Sequence, residues 1–108
     1  MSEIILVTTT LETQQEAQDL ASYILNKRFA ACAQITGPIT SLYWWQGKID
    51  HSKEFVLSLK TTSDLYDKLE LLIQENHPYE TPEIIATTLN CCSHEYKKWL
   101  EKEIIEGV

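Results

Sequence analysis

The stretch from Phe29 to Leu59 restricts the fold of this chain more than any other. Its first half passes through small and β-favouring residues, Ala30 to Ile35, meets Gly37-Pro38, and continues as ITSLYWW to Trp45. Gln46-Gly47 is a turn signal, and the chain returns from Lys48 with Phe55, Leu57 and Leu59 alternating against Val56, Ser58 and Lys60. The pattern predicts a long hairpin whose first strand bends or bulges at Gly37-Pro38. Arms of about fifteen residues reach on the order of 50 Å at about 3.3 Å per residue, so the outer half must leave its own sheet. A bare two-stranded ribbon is marginal in water, and this one carries Tyr43, Trp44, Trp45 and Ile49 near its tip. Trp44 and Trp45 point to opposite faces of one strand, so at least one should serve an interface. Pairing between identical subunits is the expected solution, and the residues themselves set no subunit count.

The remaining segments supply a sheet and its cover. Ile4 to Val7 is an apolar run followed by threonines, the pattern of a short central strand. Thr13 to Glu16 forms a T-x-x-E capping box, and Ala17, Leu20, Ala21, Ile24 and Leu25 follow at helical spacing, predicting a helix from Thr13 to Lys27. Lys27 and Arg28 suit its negative end. Thr62 or Ser63 is placed to cap a second helix bearing Leu65, Leu69, Leu72 and Ile73, which Pro78 closes. Ile84 to Asn90 reads as a fourth strand, and Ser93 caps a final helix with Tyr96, Trp99, Leu100 and Ile104 on one side. The order β-α-β-β-α-β plus a C-terminal helix is the split βαβ pattern of ferredoxin-like α+β domains. Two helices should cover one face of a four-stranded antiparallel sheet and leave the other without helices. With 108 residues, 44% of them hydrophobic, there is room for one such domain over residues 1–108.

Composition removes several classes of function. A net charge of −7, a lone arginine at Arg28 and scattered lysines form no basic stripe, so no nucleic-acid partner is expected. An acidic surface draws cations, although solubility alone explains a modest negative charge. The first residues lack the positive charge of a signal peptide and their apolar run is too short for membrane insertion, so a cytoplasmic location is expected. Cys32, Cys91 and Cys92 are too few and badly spaced for a disulfide framework, which fits reduced thiols. No G-x-S-x-G, Walker loop or G-x-G-x-x-G occurs, and three glycines cannot build a phosphate cradle of that type. Acylphosphatases share the topology but use an arginine presented by a loop near the chain start, whereas Arg28 ends a helix. Neither an enzyme nor an organic cofactor is expected.

The candidate chemistry lies in two places. His77, Tyr79, Glu80 and Glu83 share a loop stiffened by Pro78 and Pro82, and an imidazole with carboxylates is a reasonable ligand set for a divalent ion. The spacing is not diagnostic, and the plainer account has His77 capping the helix end or bonding a neighbouring carbonyl while Tyr79 packs. Cys91, Cys92 and His94 form a C-C-x-H cluster, in which Cys92 and His94 share a side if the strand persists that far; a surface or core thiol pair is the plainer account. Lys60 and Glu54 lie on one side of the third strand, where Lys60 either lines a polar pocket with Tyr79 or Glu83 or ends the strand in water. Cys32 reads as core, and Trp99 as a core or subunit-contact anchor.

The segments AACAQI (Ala30 to Ile35), SLYWWQGKI (Ser41 to Ile49), EFVLSLKT (Glu54 to Thr61) and HPYETPEI (His77 to Ile84) resemble, in order and spacing, those of the CutA divalent-cation tolerance family. The YKKWL of Tyr96 to Leu100 is similar to that family's aromatic C-terminal helix. The resemblance implies a stable homotrimer of ferredoxin-like subunits, linked to tolerance of divalent metal ions and to copper binding. The chain departs from it at Val7, where several relatives carry a cysteine able to bind metal. The competing reading is a trimeric scaffold or signalling module, like the PII proteins of related architecture, whose loops bind a small molecule or a protein.

Overall fold

The threonines after Val7 do not end the first strand. In a computed structural model, which describes residues 2–105, β1 runs over Ile4–Leu11. β-branched Thr8 to Thr10 suit a pleated strand, and pairing with the next strand continues to Leu11↔Phe55. Helix α1 (Gln14–Asn26) starts one residue later than predicted, because Thr13 is its N-cap. The capping box is complete: the Glu16 N–H donates to Thr13 Oγ1 at 3.1 Å, and the Thr13 N–H to Glu16 Oε1 at 3.2 Å. The far end closes in a Schellman pattern, with Phe29 N–H bonded to the Ile24 carbonyl and Arg28 N–H to that of Leu25. Arg28 occupies the left-handed position, φ 60°, where glycine is usual. Instead of neutralising α1, its guanidinium donates to the Glu103 carbonyl at 2.8 Å and carboxylate at 3.2 Å, tying down the C-terminal segment.

The hairpin is as long as its sequence demands. β2 (Cys32–Trp45) and β3 (Lys48–Thr62) pair along their length, with a register shift between Thr36 and Ile39 at the cis Gly37-Pro38 peptide. Gly37 is required by proximity: a Cβ there would stand 2.6 Å from Phe55 Cδ2. At the tip Gln46 and Gly47 both have positive φ, 50° and 79°, the two-residue turn whose twist matches the strands. The ribbon carries the molecule to 44 Å along its long axis against 26 and 21 Å across.

Neither Thr62 nor Ser63 caps α2 (Tyr66–Asn76) as expected; a 3₁₀ turn at Ser63–Leu65 precedes the helix. Their hydroxyls are engaged elsewhere, Thr62 donating to the Asp64 carboxylate and Ser63 accepting from the Glu3 N–H. β4 is shorter than predicted, Ile85–Thr88, and pairs only with β1. α3 (His94–Glu103) is capped by Ser93, whose Oγ accepts from the Tyr96 N–H at 3.2 Å.

The four strands lie in the order β2-β3-β1-β4, antiparallel throughout. Ile5, Val7, Leu57 and Leu59 project to the face covered by α1 and α2, where Ile24, Leu69 and Ile73 complete the core. The opposite face is not bare, contrary to the sequence expectation. Lys60 projects there, and its Nζ lies 5.6 Å from the centroid of the Tyr96 ring, so α3 leans on that side. Periodicity identifies which residues of α3 are apolar but not which face of the sheet receives them.

Candidate functional site

Pro78 forces His77 out of helical geometry, leaving it extended at φ −85°, ψ 138° as the C-cap that follows α2. That turn drives the imidazole inward. Its Nε2 lies 2.8 Å from the carbonyl oxygen of Thr10, and its Nδ1 is 3.1 Å from the Tyr79 N–H. A carbonyl only accepts and an amide N–H only donates, so the proton sits on Nε2 and the Nδ1 lone pair faces the loop. Burial pushes the imidazole pKa below its ordinary value, opposed by the bond to Thr10 and by the charges of Glu16 and Glu54.

Tyr79 extends the chain of contacts. Its ring lies 4.7 Å from that of His77, tilted by 57°, and its hydroxyl donates at 2.8 Å to Glu54 Oε2. Glu54 is only 8% exposed, an uncommon setting for a carboxylate, and this charge-assisted bond compensates its desolvation. Burial, then the Glu54 bond, then the charges of Glu54, Glu12 and Glu16 push the phenol well above the ordinary tyrosine range. The result is a fixed Thr10–His77–Tyr79–Glu54 relay linking β1, the loop and β3.

Glu80 and Glu83 are exposed on the same loop. Lys60 is not brought to Tyr79: six residues beyond Glu54, or about 20 Å along an extended strand, it pairs with Cys32 across β2–β3 and lies over Tyr96. Burial and the neighbouring Cys32 thiol push the Tyr96 phenol up, and Lys60 opposes them. Trp44 and Trp45 stand at the ribbon tip, away from both clusters and exposed. Cys92 and His94 are exposed too, but β4 stops at Thr88, so the strand alternation expected to align them does not extend that far. Among the described residues, no three His, Cys, Asp or Glu side chains are grouped to hold a metal. Val7 is fully buried in the core, so it offers nothing in place of a thiolate.

Glu54 was visible in the sequence only as a charge in β3. Its burial and its bond to Tyr79, 25 residues away, had no local signal.

An antiparallel β2-β3-β1-β4 sheet with α1 and α2 on one face, and a buried histidine relay at the end of α2, defines a ferredoxin-like α+β protein. The family described as CutA1 divalent ion tolerance protein matches residues 5–103, and the chain belongs to that family. Divalent-cation tolerance protein CutA of Thermus thermophilus is 34% identical over 102 residues, covering 94% of this chain and 97% of that one. Its namesake in Pyrococcus horikoshii is 37% identical over 100 residues, covering 93% and 97%. The crystal structure of CutA1 from Oryza sativa superposes with a TM-score of 0.94 at 34% identity, covering 96% and 95%. The protein of Archaeoglobus fulgidus, described as a periplasmic divalent cation tolerance protein, superposes at 0.90 with 31% identity, covering 93% and 97%.

Proposed function

We propose that this chain assembles as a cytoplasmic homotrimer and contributes to divalent-cation tolerance by binding the ion, copper among the candidates, at the His77–Glu83 loop. The observation that carries this reading is the orientation of His77. Its Nε2–H is anchored on a backbone carbonyl, the kind of outer bond that fixes the tautomer of a metal-ligating histidine. The Nδ1 lone pair is held only by the Tyr79 amide at 3.1 Å. A cation that displaces this amide gains a nitrogen ligand from an oriented ring, and Glu80 and Glu83 add oxygen ligands from the same loop. With Val7 in place of a cysteine, the loop relies on nitrogen and oxygen and suits a borderline divalent ion.

Assembly is supported by Leu42, Trp44 and Ile49, which lie on one face of the ribbon and are 70%, 74% and 63% exposed in a lone subunit. Three subunits are what the family resemblance implies. A cytoplasmic setting is supported by three cysteines, none of them paired.

Calorimetric titration of the assembled protein with Zn²⁺ and Cu²⁺ tests the site. Saturable binding is expected, weakened about tenfold or more, roughly 1.4 kcal/mol, by His77→Ala and by the gentler exposed change Glu80→Gln. An affinity no tighter than about millimolar, or one unchanged in both variants, would rule the loop out.

A further inference from the structure

We propose that Cys91 and Cys92, with His94, form a second capture site for a thiophilic d¹⁰ cation, separate from the His77 loop. Core packing does not account for the two thiols, because Cys91, Cys92 and His94 are all exposed. They sit where β4 has ended and α3 begins: residues 89–93 belong to neither strand nor helix. The backbone on either side is pinned. Leu89 N–H bonds to the Ile4 carbonyl at 2.9 Å, and Ser93 caps α3, which sets His94 in the first turn. Two thiols are thus presented on a short irregular segment between fixed ends.

Adjacent cysteines do not readily consume one another. Their Cα atoms are about 3.8 Å apart across a trans peptide, below the roughly 4.4–6.8 Å of an unstrained disulfide. The pair therefore stays available as two soft ligands, the type that selects thiophilic metals over magnesium or calcium. Cys92 also lines a surface hollow of about 330 Å³ with Glu3, Asn90 and Lys97. Glu3 and Asn90 bring oxygens, and the flexible stem of Lys97 lets its ammonium stay in water. As placed, the three side chains do not converge. Binding therefore requires these exposed side chains to turn to other staggered rotamers.

Binding balances without redox chemistry. Each thiol releases one proton to solvent as its sulfur bonds the cation, His94 donates a neutral nitrogen, and the metal keeps its oxidation state.

The experiment is a Cd²⁺ titration of the intact, assembled protein under a non-thiol reductant, read by the ultraviolet sulfur-to-cadmium charge-transfer band. A saturable band is expected in the parent protein and in Cys32→Ser. It should disappear in Cys91→Ser/Cys92→Ser and need several-fold more Cd²⁺ in His94→Ala. Without any substitution, stoichiometric Cd²⁺ should protect Cys91 and Cys92, but not Cys32, from iodoacetamide. A band that survives the double substitution, a band lost in Cys32→Ser, or thiols that Cd²⁺ does not protect would each overturn the proposal. Loss of the loop site does not mimic these outcomes, because His77→Ala and Glu80→Gln remove no sulfur and leave the band intact.

Discussion

His77 is kept neutral by its position, and that makes acid a measurable stress on the fold. The unfolded imidazole takes up a proton as pH falls through about 6.5. The folded one, with its pKa depressed by burial, does so only at lower pH. The unfolded state therefore binds more protons in that window, so stability falls as pH drops below about 6.5 and levels off beneath the folded pKa. Asp64, held below 3.8 by bonds from Ser2 and Thr62, contributes in a separate, more acidic window. Urea midpoints should decline between about pH 7.5 and 5.5, and less steeply in His77→Gln; equal slopes would assign the loss to other groups. His77, Tyr79 and their proline-stiffened loop were legible in sequence. The partners were not, since Thr10 lies 67 residues away and Glu54 lies 25 residues away. Lys60 shows the converse: its place on a face of β3 could be read, but its neighbour Tyr96 depended on the docking of α3.

At the level of elements, local chemistry was enough at three places where the interacting groups lie within one turn or one pleat. The Thr13–Glu16 box, the Gln46-Gly47 turn and the irregularity at Gly37-Pro38 all occur where their residues predict. The two hairpin glycines nevertheless serve different purposes. Gly47 has nothing within 4 Å of its would-be Cβ, so Gly47→Ala meets only the conformational cost of φ 79°, about 1–2 kcal/mol. Gly37→Ala must also displace the Phe55 ring and crowds the Glu54 carbonyl at 3.1 Å, adding about 1–3 kcal/mol of overpacking. Chemical denaturation should therefore rank Gly37→Ala as the more damaging. The reverse order would mean that the bulge yields to a methyl group at little cost. The caps missing at Thr62 and Ser63 mark the limit of such reasoning, because those hydroxyls found Asp64 and the Glu3 amide instead.

For the molecule as a whole, the ribbon is the clearest demand that one chain leaves unmet. Trp44 stands opposite Ile49 with Leu42 on the same face, an apolar strip that a single subunit does not cover. Burying such side chains contributes about 1.5–3 kcal/mol each, whereas a charge in their midst would have to be desolvated. Trp44→Asp should shift the sedimentation coefficient from that of an oligomer to that of a monomer and lower the thermal midpoint. An unchanged coefficient would remove the ribbon tip from the interface.

The sequence by itself determined the order of elements, the hairpin and its length, the first helix with its cap, and membership of the CutA1 family across residues 5–103. All of these rest on periodicity, turn chemistry and motif order, which act between near neighbours or survive as text. Tertiary structure alone decided that Glu54 is buried, that His77 presents Nδ1 to its loop, that α3 leans on the face opposite α1 and α2, and that Cys91 and Cys92 stay in solvent. The burial of Glu54, the anchoring of His77 on Thr10 and the docking of α3 depend on groups that meet only after the chain closes loops of tens of residues, so no local pattern records them.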